Sequence, residues 1–459
     1  MRWHRGVSVP LLAASALLAV AAGPAAAAEP ADAAADARAT PGSEQPKIDL
    51  EELAAERKAR AALEENRVRT RIQRYLNAAA ETVDEGEPGE AAALLERLAD
   101  ARLNTHERAL VARLKAFVLY TEGDIEGAIA AFQAALAEEI LPVSDEVRIR
   151  FNIAQLYAAL QNWPKTIEAI HAWLPYAADP DPLAYYLLAV SHFQLEQFDL
   201  AIANAETAVD LAPDPKEGWL QLLAALYVQK EDYANATPVL EELVLRFPKR
   251  LYWVQLSLIY GARENYRHSL AVQQVAYLQG LLEEDKELRR LARSYLFADL
   301  PYQAAQVLTR GLAEERIEAD AEVYEMLANS WVAAREYDRA LEPLQTAAEL
   351  SDDGQLYVRL GQVHLQREEW HLAAEMLQKA FDKGGLEKEA SALLLLGIAH
   401  YNDENASQAR EYFRRAARDE STRVQAERWI EHIDTEAGNG QNGDEGEAPV
   451  GNPELAGAP

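Results

Sequence analysis

Between Pro182 and Pro248 the chain alternates apolar-periodic and turn-forming segments. Tyr185 to Gln194 carries apolar side chains at helical spacing, Glu196-Gln197-Phe198-Asp199 interrupts it, and Leu200 to Leu211 resumes the pattern until Pro213. The stretch 217–250 repeats the plan with Leu223-Ala224, Tyr227, Ala236, Leu240, Leu243 and Pro248. Such spacing predicts two amphipathic helices joined by a short turn. Alternating Val/Ile/Thr runs, the signature of strands, are missing, and the abundant Ala favours helix. The predicted class is all-α.

Carrying this register along the chain predicts ten units, starting near residues 72, 109, 147, 182, 217, 250, 285, 321, 354 and 390. The eighth position is then Ala79, Ala116, Ala154, Ala189, Ala224, Ser257, Ala292, Ala328, Gly361 and Gly397. The twentieth is Ala91, Ala128, Thr166, Ala201, Ala236, Ser269, Ala304, Ala340, Ala373 and Ala409. All are small, because a bulky side chain at a close helix crossing would hold the pair apart. Turn-forming residues such as Gln161-Asn162-Trp163-Pro164, Glu264-Asn265-Tyr266 and Asp403-Glu404-Asn405 separate the helices of each pair. Small residues at positions 8 and 20, a large one at 11 and proline at 32 resemble the tetratricopeptide repeat, whose period is about 34 residues. That resemblance implies a right-handed α–α superhelix of about ten hairpins over 72–421.

The ends read differently. Arg2 and Arg5, the apolar stretch Val9 to Ala22 and Ala26-Ala27-Ala28 predict a secretory signal peptide over 1–28. Its apolar part falls short of the roughly 20 residues that span a bilayer, so no membrane insertion is expected after cleavage, and the expected location is the periplasm. Residues 29–47, rich in Ala, Pro and Glu, predict a disordered linker, and the acidic stretch 437–459 a disordered tail. A charged helix over 48–71 is expected to cap the N-terminal end, and one over 422–436, with Trp429 and Ile433 on one face, the C-terminal end.

Composition narrows the function. The chain has no cysteine, which excludes disulfides, thiolate zinc sites, cysteine nucleophiles and a lipidated N-terminal cysteine. Net charge is −30, and losing Arg2 and Arg5 with the signal makes it about −32. Such a surface repels nucleic acid and anionic lipid. The acids are spread along every hairpin, which reads as solubility.

Candidate chemistry is sparse. His192, His364 and His400 all occupy position 11 and read as core residues of three hairpins, so no metal is expected. Phosphate-cradling glycine loops, nucleophile elbows and calcium loops are missing, and no catalytic residue or cofactor is expected. The tetratricopeptide resemblance implies that positions 2, 5, 9 and 12 of the first helix in each repeat line an inner groove. Its candidate partner-binding residues are Tyr186, Phe193, Gln221, Val254, Leu258, Lys286, Arg289, Arg293, Asn329 and Gln362. The amides can pair with an extended peptide. Lys286, Arg289 and Arg293 form a basic spot that either meets an acidic ligand or pairs with neighbouring acids.

A narrower likeness rests on Leu251-Tyr252-Trp253-Val254-Gln255-Leu256-Ser257, Ala276-Tyr277-Leu278-Gln279-Gly280 and Pro301-Tyr302-Gln303-Ala304-Ala305. These segments resemble periplasmic tetratricopeptide proteins encoded beside TonB–ExbB–ExbD systems. The resemblance implies a scaffold that binds protein or peptide partners, the TonB–ExbB–ExbD complex among them. The alternative is a platform for assembling outer-membrane or exopolysaccharide machinery.

Overall fold

The computed structural model describes residues 48–98 and 101–441. The expected signal peptide, the linker up to residue 47 and the tail beyond 441 lie outside the described residues. Every regular element among those described is helical. The unit ending at Pro248 holds α1 (Leu50–Ala62) and five hairpins. These are α2/α3 (Thr70–Asp84, Pro88–Glu96), α4/α5 (Thr105–Thr121, Ile125–Ala137), α6/α7 (Val143–Ala159, Trp163–Trp173), α8/α9 (Pro182–Gln194, Phe198–Leu211) and α10/α11 (Glu217–Gln229, Tyr233–Arg246). The unit beginning at Lys249 holds α12/α13 (Arg250–Ala262, Tyr266–Leu278), α14/α15 (Asp285–Phe297, Pro301–Ala313), α16/α17 (Ala321–Ala333, Tyr337–Leu350), α18/α19 (Gln355–Gln366, Trp370–Lys383) and α20/α21 (Glu389–Asn402, Ala406–Ala416). It closes with α22 (Arg423–Gln441).

All twenty small residues of the register are buried. The two glycines show why size is limited there. A Cβ on Gly361 would lie 2.6 Å from Leu377 Cγ, and one on Gly397 would lie 2.6 Å from Phe413 Cε1. Large apolar side chains fill the space around the crossings. In the second unit Leu288, Leu291, Val307, Leu308, Ile317 and Val323 form one such cluster. Each contributes about 1.5–3 kcal/mol by leaving water.

The hairpin turns share a conformation that their residue types do not advertise. The fifteenth repeat residue is left-handed in all ten: Gly86, Gly123, Gln161, Glu196, Glu231, Glu264, Asp299, Arg335, Glu368 and Glu404. The next N–H then returns to the carbonyl five residues back, as from Asp232 to Tyr227 at 2.8 Å and from Asn405 to His400 at 2.8 Å. This closure satisfies the last carbonyls of the first helix and reverses the chain. Only two of the ten are glycine.

Both ends depart from expectation. The helix α1 does not cover the first hairpin as a cap would: its ion pairs run to Glu139 and Glu146, in and after the loop between α5 and α6. Its few apolar residues cannot cover a hairpin face, whereas its Arg57 finds the buried Glu146. At the other end α22 packs on α21, with Trp429 stacked on Phe413 at 5.5 Å and Ala426 and Ile433 buried. It continues through residues 437–441, where a flexible tail was expected, because extending a formed helix needs no new nucleus.

Candidate functional site

The expected groove positions fall into three classes. In the unit ending at Pro248, Tyr186 is buried and stacks on Trp219 of the next hairpin at 5.2 Å, so it spaces hairpins instead of facing a ligand. Burial raises its hydroxyl pKa. Phe193 is half-buried against Phe198, with ring centroids 6.2 Å apart. Gln221 is half-buried on α10.

In the unit beginning at Lys249, helical spacing puts Leu251, Val254 and Leu258 on one face of α12. Val254 leans on the core, while Leu251 and Leu258 are 49% and 47% exposed. Leu251 belongs to this strip although it was not among the expected binding residues. Its position-2 place in the repeat was the available signal.

The basic spot is a ladder of ion pairs. Arg289 is buried; its Nε donates to Asp285 Oδ1 at 2.8 Å, and its Nη2 donates to Asp320 Oδ2 at 2.8 Å and to the Glu318 carbonyl at 2.9 Å. Those hydrogen bonds hold the Asp320 carboxyl below its usual range. Arg293 reaches Glu322 at 2.5 Å, and Lys286 lies 3.3 Å from Glu284. Arg359 on α18 continues the ladder to Glu325 at 2.6 Å and to Asn329 Oδ1 at 3.4 Å. Of the two readings of the basic spot, the structure shows its pairing with neighbouring acids. Several of its acids sit on the next hairpin, about one repeat away in sequence, where composition alone cannot choose them. Asn329 is thereby engaged, although exposed, and Gln362 is half-buried on α18.

The position-11 histidines behave as side chains of the fold. His192 Nδ1 lies 2.7 Å from Gln197 Oε1, and His364 Nδ1 lies 2.7 Å from Glu369 Oε2, each pair flanking a left-handed turn residue. His400 stacks on Tyr412 at 5.3 Å. Among the described residues no group of three or more His, Asp or Glu could hold a metal, and no helix is long and apolar enough to cross a membrane.

The turn edge of the second unit carries aromatic rings that the expected site omitted. Tyr266 and Phe297, from successive hairpins, meet at 4.8 Å and remain 48% and 71% exposed. Tyr302 meets Trp331 edge-on at 5.4 Å, and the Arg339 guanidinium lies 5.0 Å from the Trp331 ring centroid. By contrast, Tyr252, Leu256, Ser257, Ala276, Ala304 and Ala305 are buried, so much of the narrower sequence likeness is core and reports packing.

A tetratricopeptide-repeat family model matches residues 114–182 and 358–422, and a second matches 183–215. No curated protein matches the chain. Among solved structures, MamA from Desulfovibrio magneticus RS-1 is 20% identical with a TM-score of 0.33, over 39% of this chain and 96% of its own. A tetratricopeptide-repeat protein from Parabacteroides merdae is 18% identical with a TM-score of 0.31, over 64% of this chain and 99% of its own. YrrB, described as a tetratricopeptide protein with an unusual peptide-binding site, is 15% identical with a TM-score of 0.34, over 40% of this chain and 94% of its own. The chain carries tetratricopeptide repeats over 114–215 and 358–422, and each of its two units is an all-α stack of helical hairpins of that kind.

Proposed function

We propose that this chain is an exported scaffold that holds protein partners in the periplasm. The observation that carries the reading is the α12 face, where Leu251 and Leu258 stand half in water while Tyr252, Leu256 and Ile259 of the same helix are core. A regular hairpin stack presents such a strip preformed, so a partner buries apolar area without ordering the scaffold first. Burying these two leucines would contribute a few kcal/mol at about 25 cal/mol per Å². The charged ladder beside it is internally neutralised, which leaves the apolar strip to set affinity. Tetratricopeptide repeats serve as scaffolds for protein–protein contact, and the reading follows that general role.

The partner suggested by the sequence likeness is the TonB–ExbB–ExbD complex, at the level of proposal. Two measurements separate the layers. Capture from periplasmic extract with the wild-type chain and with Leu251→Glu/Leu258→Glu tests the strip: a partner retained equally by both shows that the strip is not the site. Uptake of TonB-dependent ligands in a deletion strain tests the partner: normal uptake with no co-purified transducer refutes the TonB reading and leaves the scaffold standing.

A further inference from the structure

The loops between hairpins are stapled by arginines, and in the first unit a segment ahead of α2 adds arginines of its own. Arg246 of α11 donates to Asp214 and, at 2.8 Å, to the Pro215 carbonyl in the loop between α9 and α10. Arg250 of α12 donates to Glu287 at 2.9 Å, and Arg289 of α14 reaches Glu318 and Asp320. Each of these staples comes from within a hairpin.

The first loops carry hairpin staples too, with Arg108 of α4 donating to Glu138 at 2.7 Å, and they are held in addition by a segment ahead of α2. Arg57 of α1 donates from Nε to Glu146 Oε1 at 2.8 Å, and Arg60 donates to the Glu139 carbonyl at 3.2 Å. Arg69, just ahead of α2, donates to Glu107 through Nε at 2.9 Å and Nη2 at 2.6 Å, and to the Arg102 carbonyl at 2.7 Å. At the far end, the Ile48 N–H reaches the Pro175 carbonyl at 3.3 Å. Glu107 and Glu146 are fully buried, whereas Arg57 is the one buried residue of α1 and Leu63 is half exposed. The segment thus crosses three inter-hairpin loops, and its grip is ionic more than apolar.

We propose that the segment 48–69 is a latch that makes the first three hairpins one cooperative block, gripping through arginines seated on the buried carboxylates Glu107 and Glu146. Repeat arrays without such a device fray from the end, one unit at a time. With the latch, losing a plug leaves a carboxylate buried and unpaired, which destabilises the hairpin that carries it and those stacked on it. The block therefore opens as a whole.

Hydrogen exchange on the full chain, resolved by segment, tests this. Arg57→Gln is expected to speed exchange at least tenfold in α2 to α7 together, with α12 to α21 unchanged. Leu53→Ala, which trims the apolar face of α1, is expected to leave α2 to α7 protected. Adding Glu146→Gln to Arg57→Gln removes the stranded charge and is expected to restore most of the protection. The latch is overturned if Arg57→Gln loosens α1 alone, if Leu53→Ala loosens α2 to α7 as much, or if α12 to α21 loosen by the same factor. Should Arg57→Gln fail to fold, a double variant that folds supports the latch, and one that also fails overturns it.

Discussion

Gly397 on α20 faces the buried ring of Phe413 on α21 so closely that a methyl group at Gly397 would lie 2.6 Å from Phe413 Cε1. Phe413 is fully buried and stacks on Trp429 of α22, so it has nowhere to move. Gly397→Ala is expected to destabilise the chain by about 1–3 kcal/mol through overpacking. Gly218→Ala is the control, because a Cβ there meets nothing nearer than 3.9 Å. Denaturant midpoints that match for the two variants would show that the crossing tolerates size.

The left-handed turns give a prediction of opposite sign at two equivalent positions. Gly123 already suits its φ of +87°, and a Cβ there would meet no other atom, so any cost of Gly123→Ala is conformational. That cost is expected to be about 1–2 kcal/mol. Glu231, at φ +56°, carries the same penalty in the native chain, so Glu231→Gly is expected to be neutral or to stabilise by up to ~1 kcal/mol. Urea unfolding reads both, and a destabilised Glu231→Gly would mean that its side chain holds the turn.

Within the ion-pair ladder, burial ranks the members. Arg289 is nearly inaccessible while its carboxylates are about two-fifths exposed, so Arg289→Gln is expected to cost about 2 kcal/mol, less than a wholly buried pair. Arg293 and Glu322 are both more than half exposed, and Arg293→Gln is expected to cost under about 1 kcal/mol. Equal losses from the two variants would mean that burial does not set the strength of this ladder.

Burial pushes the His400 imidazole below the usual histidine range, with Asp403 opposing and His371 adding. The unfolded chain therefore binds this proton more readily than the folded one. The stability is present above the unfolded value near pH 6.5 and is lost as pH falls through it toward the depressed folded value. His400→Phe keeps a ring against Tyr412 without a titrating group, so its thermal midpoint should fall less than that of the wild type between about pH 7.5 and 5.5. An equal fall would assign the acid sensitivity to other groups, with His171 first because its pKa is also lowered by burial.

The small crossing residues could be read in sequence because the constraint is local and repeats: Ala189 and Ala201 announce the same geometry as Gly361 and Ala373. The left-handed turns were not legible in the same way. Gly86 and Gly123 signal positive φ, but Glu196, Glu231 and Arg335 do not, and the fold imposes the conformation on them through the return hydrogen bond. The candidate site divided likewise. Leu258 was recognised from its place on the helix and is exposed as expected, whereas Tyr186, assigned to the same groove face, is buried under Trp219.

By itself the sequence determined the all-α class, the ten hairpins and the burial of His192 and His364, since helix periodicity and crossing size are short-range demands. Only the tertiary structure decided where the charges go. It set Arg289 between Asp285 and Asp320, and it laid Arg57 against Glu146 far along the chain. In a chain so rich in acids every arginine has many possible partners, and the packing of one hairpin on the next selects among them.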